Sequence, residues 1–202
     1  LFRSATYAAG EVGQGFQFET ATAGVKIPAA QNLNVGAANG FTLEAWISPA
    51  DISVYGPLFE WNNGTGLWGV HFYIDPYSWG APVLYANIVD QDGNWNQIWS
   101  TDALQVNQEQ WQHVALTYDK LTGNAKLFLN GAIVANEPLG SFTPLTTYDL
   151  YLGRRPSGEG GEVINYHGRI DEPTVYNRAL SNYEIYLIYA AGPNGKPPPP
   201  PS

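Results

Sequence analysis

The chain has no cysteine, so no disulfide framework can hold it together and folding has to rest on core burial, with or without a bound ion. The absence does not identify a compartment, since secreted bacterial proteins can also lack cysteine. Basic residues are scarce, with 9 Lys and Arg against 18 Asp and Glu and a formal net charge of −9. They form no basic run, which argues against a nucleic-acid partner, and the acidic surface favours solubility. No apolar run approaches the roughly 18 residues of a membrane span. No signal peptide is recognisable, and Leu1 in place of an initiator Met suggests a processed or excised fragment. Helical periodicity is nearly absent, as is any internal repeat of blade or solenoid type. What remains is a 202-residue chain, 44% hydrophobic, suited to one large all-β domain rather than to two small ones. Aromatic residues make up 14%; they fit strands and large cores and also supply candidates for exposed stacking platforms.

Residues 111–136, WQHVALTYDKLTGNAKLFLNGAIVAN, are the best-defined stretch. Asn130-Gly131 suits a two-residue hairpin turn with positive φ at both central positions, and Leu121–Asn124 is a looser turn. Between them Val114, Leu116 and Tyr118 alternate with His113, Ala115 and Thr117. Alternation of period two means half-buried strands. Such a meander is marginal alone, so it has to pack on more sheet.

The rest of the chain supplies that sheet. Strands are predicted at 16–19, 24–28, 41–48, 58–61, 67–75, 83–90, 95–100, 148–153 and 168–176, the last at an edge because of Pro173. A long loop is expected at 154–167. In 67–75, Trp68, Val70, Phe72 and Ile74 share one face, and His71, Tyr73 and Asp75 the other. A three-residue turn at Asp92–Asn94 would pair Ile88 with Ile98 and keep both faces coherent, whereas a one-residue slip would mix them. Leu84, Ala86, Ile88 and Ile98 then face the core, while Tyr85, Asn87, Trp95, Gln97 and Trp99 face away. Ser181 and Glu184 form a capping box for one short C-terminal helix at about 182–189, stopped by Gly192-Pro193. About a dozen short strands and one helix predict an antiparallel two-sheet β-sandwich over residues 1–192. Residues 193–202 carry a five-proline run that reads as a stiff linker to a missing downstream region.

Three segments carry a family resemblance. FTLEAWISP at 41–49, WQHVALTYD…AKLFLNGAIVA at 111–135, and LGRR at 152–155 followed by GRIDEPTVYNRAL at 168–180 resemble the concanavalin A-like lectin/glucanase superfamily, in its laminin G-like jelly-roll branch. The resemblance spans about residues 10–192 and implies the concanavalin A-like sandwich. It leaves function open, because this fold serves lectins, glycan-binding modules, adhesion domains and glycosidases. It also implies a structural Ca²⁺, for which Glu19, standing where the family pattern has Asp, and Asp171 are the matching positions, while the loop Ala38-Asn39-Gly40 could provide carbonyl ligands. A hard cation of this kind takes six to eight oxygens.

The glucanase pattern Glu-x-Asp-x-(x)-Glu is missing: neither Glu44, Glu60 nor Glu162 continues into it. His71, His113 and His167 have no metal-ligand spacing, and there is no nucleophile elbow or phosphate loop. The chain is therefore read as no enzyme, with a glycoside hydrolase the weakest reading. The positive signal is the face bearing His71, Tyr73, Asp75, Tyr85, Asn87, Trp95, Gln97 and Trp99. If those strands are neighbours, the face is polar and aromatic, as a glycan partner requires. Trp79 and Asp92 would rim it, and Arg155 would add a charge-assisted bond. The expected function is a non-catalytic carbohydrate-binding, lectin-like module of a secreted or cell-surface protein, joined by the proline linker to further domains. The alternative is a structural or protein-adhesion domain with no sugar site.

Overall fold

The computed structural model describes residues 3–20, 22–76, 78–101 and 110–196, with the backbone alone for Arg3, Ser4 and Trp79. Among these residues the strands are β1 (Arg3–Ser4), β2 (Thr6–Ala9), β3 (Gln14–Phe18), β4 (Ala23–Ile27), β5 (Gly40–Pro49), β6 (Gly56–Asn62), β7 (Trp68–Asp75) and β8 (Val83–Asn87). They continue with β9 (Gln97–Trp99), β10 (Gln112–Asp119), β11 (Asn124–Leu129), β12 (Ala132–Pro138), β13 (Asp149–Leu152), β14 (Arg154–Arg155), β15 (Ile164–Asn165) and β16 (Gly168–Tyr176). One helix, α1 (Asn182–Ala191), follows.

Two seven-stranded sheets stack into a sandwich. One has the order β1-β4-β13-β6-β7-β8-β9 and the other β12-β11-β10-β5-β16-β3-β2. Pairing is antiparallel apart from β1 with β4. The alternation read from sequence explains the core. Phe41, Leu43, Ala45 and Ile47 of β5 join Phe72, Ile74, Ala86, Ile98, Val114, Leu116 and Tyr118 in one buried cluster between the sheets.

The outer face of the second sheet is covered. Ala115 and Phe128 form a smaller apolar cluster with Leu180, Ile185 and Ile188 beneath α1. The helix begins with the capping box: Ser181 Oγ accepts the Glu184 N–H at 3.2 Å, and the Glu184 carboxylate accepts the Ser181 N–H at 2.8 Å. It runs to Ala191, two residues beyond the expected end. Past the helix, Lys196 Nζ donates to the Glu172 carbonyl at 2.6 Å and lies 2.8 Å from Glu44 Oε1. From residue 197 onward the expected linker lies outside the described residues.

Three local expectations are corrected. β16 is not an edge strand: it lies between β5 and β3, and a register shift between Asp171 and Thr174 takes Pro173 out of the ladder, with Glu172 at φ 50°. The 83–100 hairpin pairs Ala86, not Ile88, with Ile98. The Asp90 carboxylate accepts the N–H groups of Asp92 and Asn94 at 2.9 and 2.8 Å, which gathers a longer turn than the one expected. The shift is two residues, so every side chain keeps its face. Finally, the 154–167 segment is not all loop but contains the β14–β15 pair.

Candidate ligand-binding site

β7, β8 and β9 are neighbours, so their outward residues fall into rows. One row runs Glu60, His71, Asn87, Gln97 across four strands, and the next runs Tyr73, Tyr85, Trp99. Over these rows lies a cavity of about 450 Å³. Of the residues singled out by sequence, His71, Tyr73, Asp75, Tyr85, Asn87, Trp95, Gln97, Trp99 and Arg155 all line it. Trp99 packs on Tyr85 with centroids 5.1 Å apart, and Tyr85 lies 5.8 Å from the His71 ring. Trp95 is 57% exposed at the rim.

Arg155 comes from β14 and closes one wall. Its guanidinium carbon is 4.8 Å from the Trp68 ring centroid and 5.0 Å from that of Tyr73, a favourable stacking for a planar cation. Arg155 Nε donates to both oxygens of Glu60, at 3.0 and 2.9 Å, and Nη1 lies 3.5 Å from Glu162 Oε1. Glu60 is fully buried and also accepts from Asn62 Nδ2 at 2.6 Å and from the Tyr73 hydroxyl. Burial raises its carboxyl above the ordinary range, and the Arg155 charge opposes that rise. The Tyr73 hydroxyl is pushed well up, by burial first and by Glu60 next. His71 is buried, and desolvation helped by the Arg155 charge lowers it to about 3; its Nδ1 lies 3.0 Å from the Gly69 carbonyl oxygen. At neutral pH the imidazole is uncharged.

Several polar groups already have partners. Gln97 Nε2 donates to the Tyr85 hydroxyl at 2.7 Å, and Asn87 Oδ1 accepts the Asn96 N–H at 3.0 Å. Both Asp75 oxygens accept from Ser78, at 3.2 and 2.7 Å. Among the described cavity-lining residues two buried donors have none, Asn87 Nδ2 and Arg155 Nη2, although buried donors are ordinarily paired.

Sequence reasoning missed Trp68, Glu60, Tyr55, Ser78, Glu162 and Ile164. Of these, Glu60 lies behind the wall, and the other five line it. Trp68 was expected in the core. A register shift between β6 and β7 at Glu60–Asn62 reverses its face, and Gly69 packs so tightly that a Cβ there would collide with the Leu145 carbonyl. A lone Glu within the apolar run LFEW was the available signal for Glu60. Asp92 is exposed on its turn and does not line the cavity, because Asp90 draws that turn back on itself. The Trp79 side chain lies outside the described residues.

The three residues expected at a cation do not converge. Asp171 pairs with Trp46 on β5, while Asn39 precedes Gly40 at the far end of that strand, about 23 Å away at strand rise. Glu19 follows Phe18, which pairs with Gly168, about 13 Å along the ladder from Asp171. Asp171 instead accepts the N–H groups of Val12 and Glu172 at 2.8 and 2.9 Å. Among the described residues, no group of three His, Cys, Asp or Glu side chains is placed to share a metal. Glu19, Asn39 and Asp171 therefore do not fit one shared ion.

A laminin G-like family model of the concanavalin A-like lectin/glucanases superfamily matches residues 19–186. The chain belongs to that superfamily. No protein of curated function matches the sequence significantly. Among solved structures, domain 4 of AbnA, a GH43 extracellular arabinanase from Geobacillus stearothermophilus in complex with arabinotriose, superposes with a TM-score of 0.63 at 19% identity, covering 90% of this chain and 79% of that one. The CBM40 of the Ruminococcus gnavus IT-sialidase, bound to α2,3-sialyllactose, gives 0.62 at 21% identity, over 82% and 96% of the two chains. A heptameric SAP-like pentraxin from Limulus polyphemus gives 0.62 at 17% identity, over 86% and 75%. At these identities the likeness concerns the fold of this superfamily member.

Proposed function

We propose that this concanavalin A-like domain is a non-catalytic carbohydrate-binding module of a secreted protein and that the cavity above β7–β9 receives the sugar. One observation carries the reading: two cross-strand rows bring Trp99, Tyr85, Tyr73 and His71 together with Asn87 and Gln97 around a single cavity that Asp75 also lines. Sugar rings offer C–H faces to flat aromatic rings and hydroxyls to amides and carboxylates. Concave sites lined by aromatics with a few placed polar groups are where ligands ordinarily bind. The sugars bound by the arabinanase domain and the sialidase module agree with this reading. The arabinanase is described as extracellular, which fits a secreted protein, and among the described residues no helix is long and apolar enough to cross a membrane.

The carboxylates favour binding over hydrolysis. A glycosidase sets one carboxyl to donate a proton and another to attack or to activate water. Glu60 is saturated by Arg155, Asn62 and Tyr73, and Asp75 by Ser78, so their bonds hold the cavity wall in place. A glycan array, read with wild type and Trp99→Ala, tests the proposal. Trp99→Ala is expected to lose about 2 kcal/mol of binding, the scale of an aromatic hot spot, with its melting temperature nearly kept. Unchanged binding by a folded Trp99→Ala protein would rule this cavity out.

A further inference from the structure

We infer that the cavity selects uncharged saccharides and rejects acidic ones, an inference that rests on its being the sugar site. The argument is one of charge balance. Among the described lining residues Arg155 carries the one positive charge. That charge is committed to Glu60 at 2.9 Å and to Glu162 at 3.5 Å. Asp75 and Glu162 add two negative charges to the wall, and Glu60 sits directly behind it. His71, lowered to about 3, supplies no compensating charge at neutral pH.

An entering carboxylate or sulfate would face a cost on each side. To gain Arg155 it would have to compete with Glu60, and a buried carboxylate stripped of its partner is strongly destabilising. It would also approach Asp75 and Glu162 as a like charge in a partly desolvated site. Arg155 Nη2 is the donor through which an acidic sugar could gain, but two carboxylates already balance that guanidinium. The other unfilled donor, Asn87 Nδ2, is a neutral amide suited to a hydroxyl or ring oxygen. The net charge of −9 adds long-range repulsion of polyanions, screened by salt. Selection of this kind works by repelling the wrong ligand as much as by attracting the right one.

Matched pairs test it: lactose against α2,3-sialyllactose, arabinoxylan against glucuronoxylan, and galactan against polygalacturonate, by calorimetry or affinity electrophoresis. The expected result is binding to at least one neutral member, with its acidic counterpart weaker by about tenfold or more. The gap should narrow in high salt, and Glu162→Gln should raise affinity for the acidic member. Equal or tighter binding of acidic members would overturn the inference and leave the sugar reading standing. If wild type bound neither member of any pair, the sugar reading would fall and this inference with it.

Discussion

The two sheets have similar outward faces in sequence and different fates in the fold. β5 and β10 place Glu44, Trp46 and His113 outward; β6 to β9 place Glu60, Tyr73, His71 and Trp99 outward. Over the second sheet lie α1 and the segment ending at Lys196. Glu44 is buried 3.1 Å from His113 and 2.8 Å from Lys196, and Trp46 packs between the His113 and Tyr189 rings, with centroids 5.3 and 5.9 Å away. Over the first sheet lies a cavity, and Glu60 is buried against Arg155 instead. The two glutamates also titrate differently. Burial pushes both upward, but at Glu44 the His113 hydrogen bond and Lys196 win and the carboxyl falls below its ordinary range, whereas at Glu60 burial wins. Glu44 has two cationic or potentially cationic partners, His113 and Lys196, whereas Glu60 has one, Arg155, beside the neutral donors Asn62 and Tyr73.

The largest effect that separates the faces is expected at Arg155. Arg155→Met should cost about 3 to 5 kcal/mol of stability in urea unfolding, because Glu60 stays buried with its cation gone. The double variant Glu60→Met/Arg155→Met should recover much of this, and a double variant as unstable as the single one would show that the pair is not the source. Next comes the covered face. Ile185→Ala, which opens the small cluster under α1, should cost about 3 kcal/mol and leave glycan binding unaltered; a parallel loss of binding would mean that the two faces are coupled.

The smallest effect concerns pH. Arg155, Tyr73 and Tyr85 surround His71, whose pKa is lowered to about 3 from an ordinary 6.5. Between those values the unfolded chain takes up a proton that the folded one does not. The contribution of His71 is thus complete above pH 6.5 and is lost as pH falls toward 3, by at most about 1.4 kcal/mol per pH unit. Glu60, with its raised carboxyl, works in the opposite sense, so the measurement is the difference between wild type and His71→Asn from pH 6.5 to 5. A flat difference would place a charged imidazole in the cavity wall.

Most of the architecture was legible because alternation of period two reports burial directly. Val114, Leu116 and Tyr118 were readable as core, and the outward set on β7 to β9 was readable before any pairing was known. What escaped was set by irregularities that alternation cannot report. A bulge turned Trp68 outward, another admitted Pro173 into a central strand, and Asp90 lengthened a turn. Nor can alternation tell which outward face a helix will cover, since that depends on where Leu180, Ile185 and Ile188 land. Glu19 and Asp171 matched a family pattern in sequence, but the ladder sets them about 13 Å apart.

Gly69 does not itself line the cavity, yet it supports the wall from behind, its carbonyl oxygen 3.0 Å from His71 Nδ1. Its missing side chain lets the Leu145 carbonyl approach, and Val70 N–H donates to that oxygen at 3.1 Å; the Trp68 ring that stacks on Arg155 is presented from this spot. Any side chain at position 69 would force the two segments apart and tilt the indole. Mutational libraries restricted to ligand-facing positions would therefore overlook a site from which recognition could be retuned from behind.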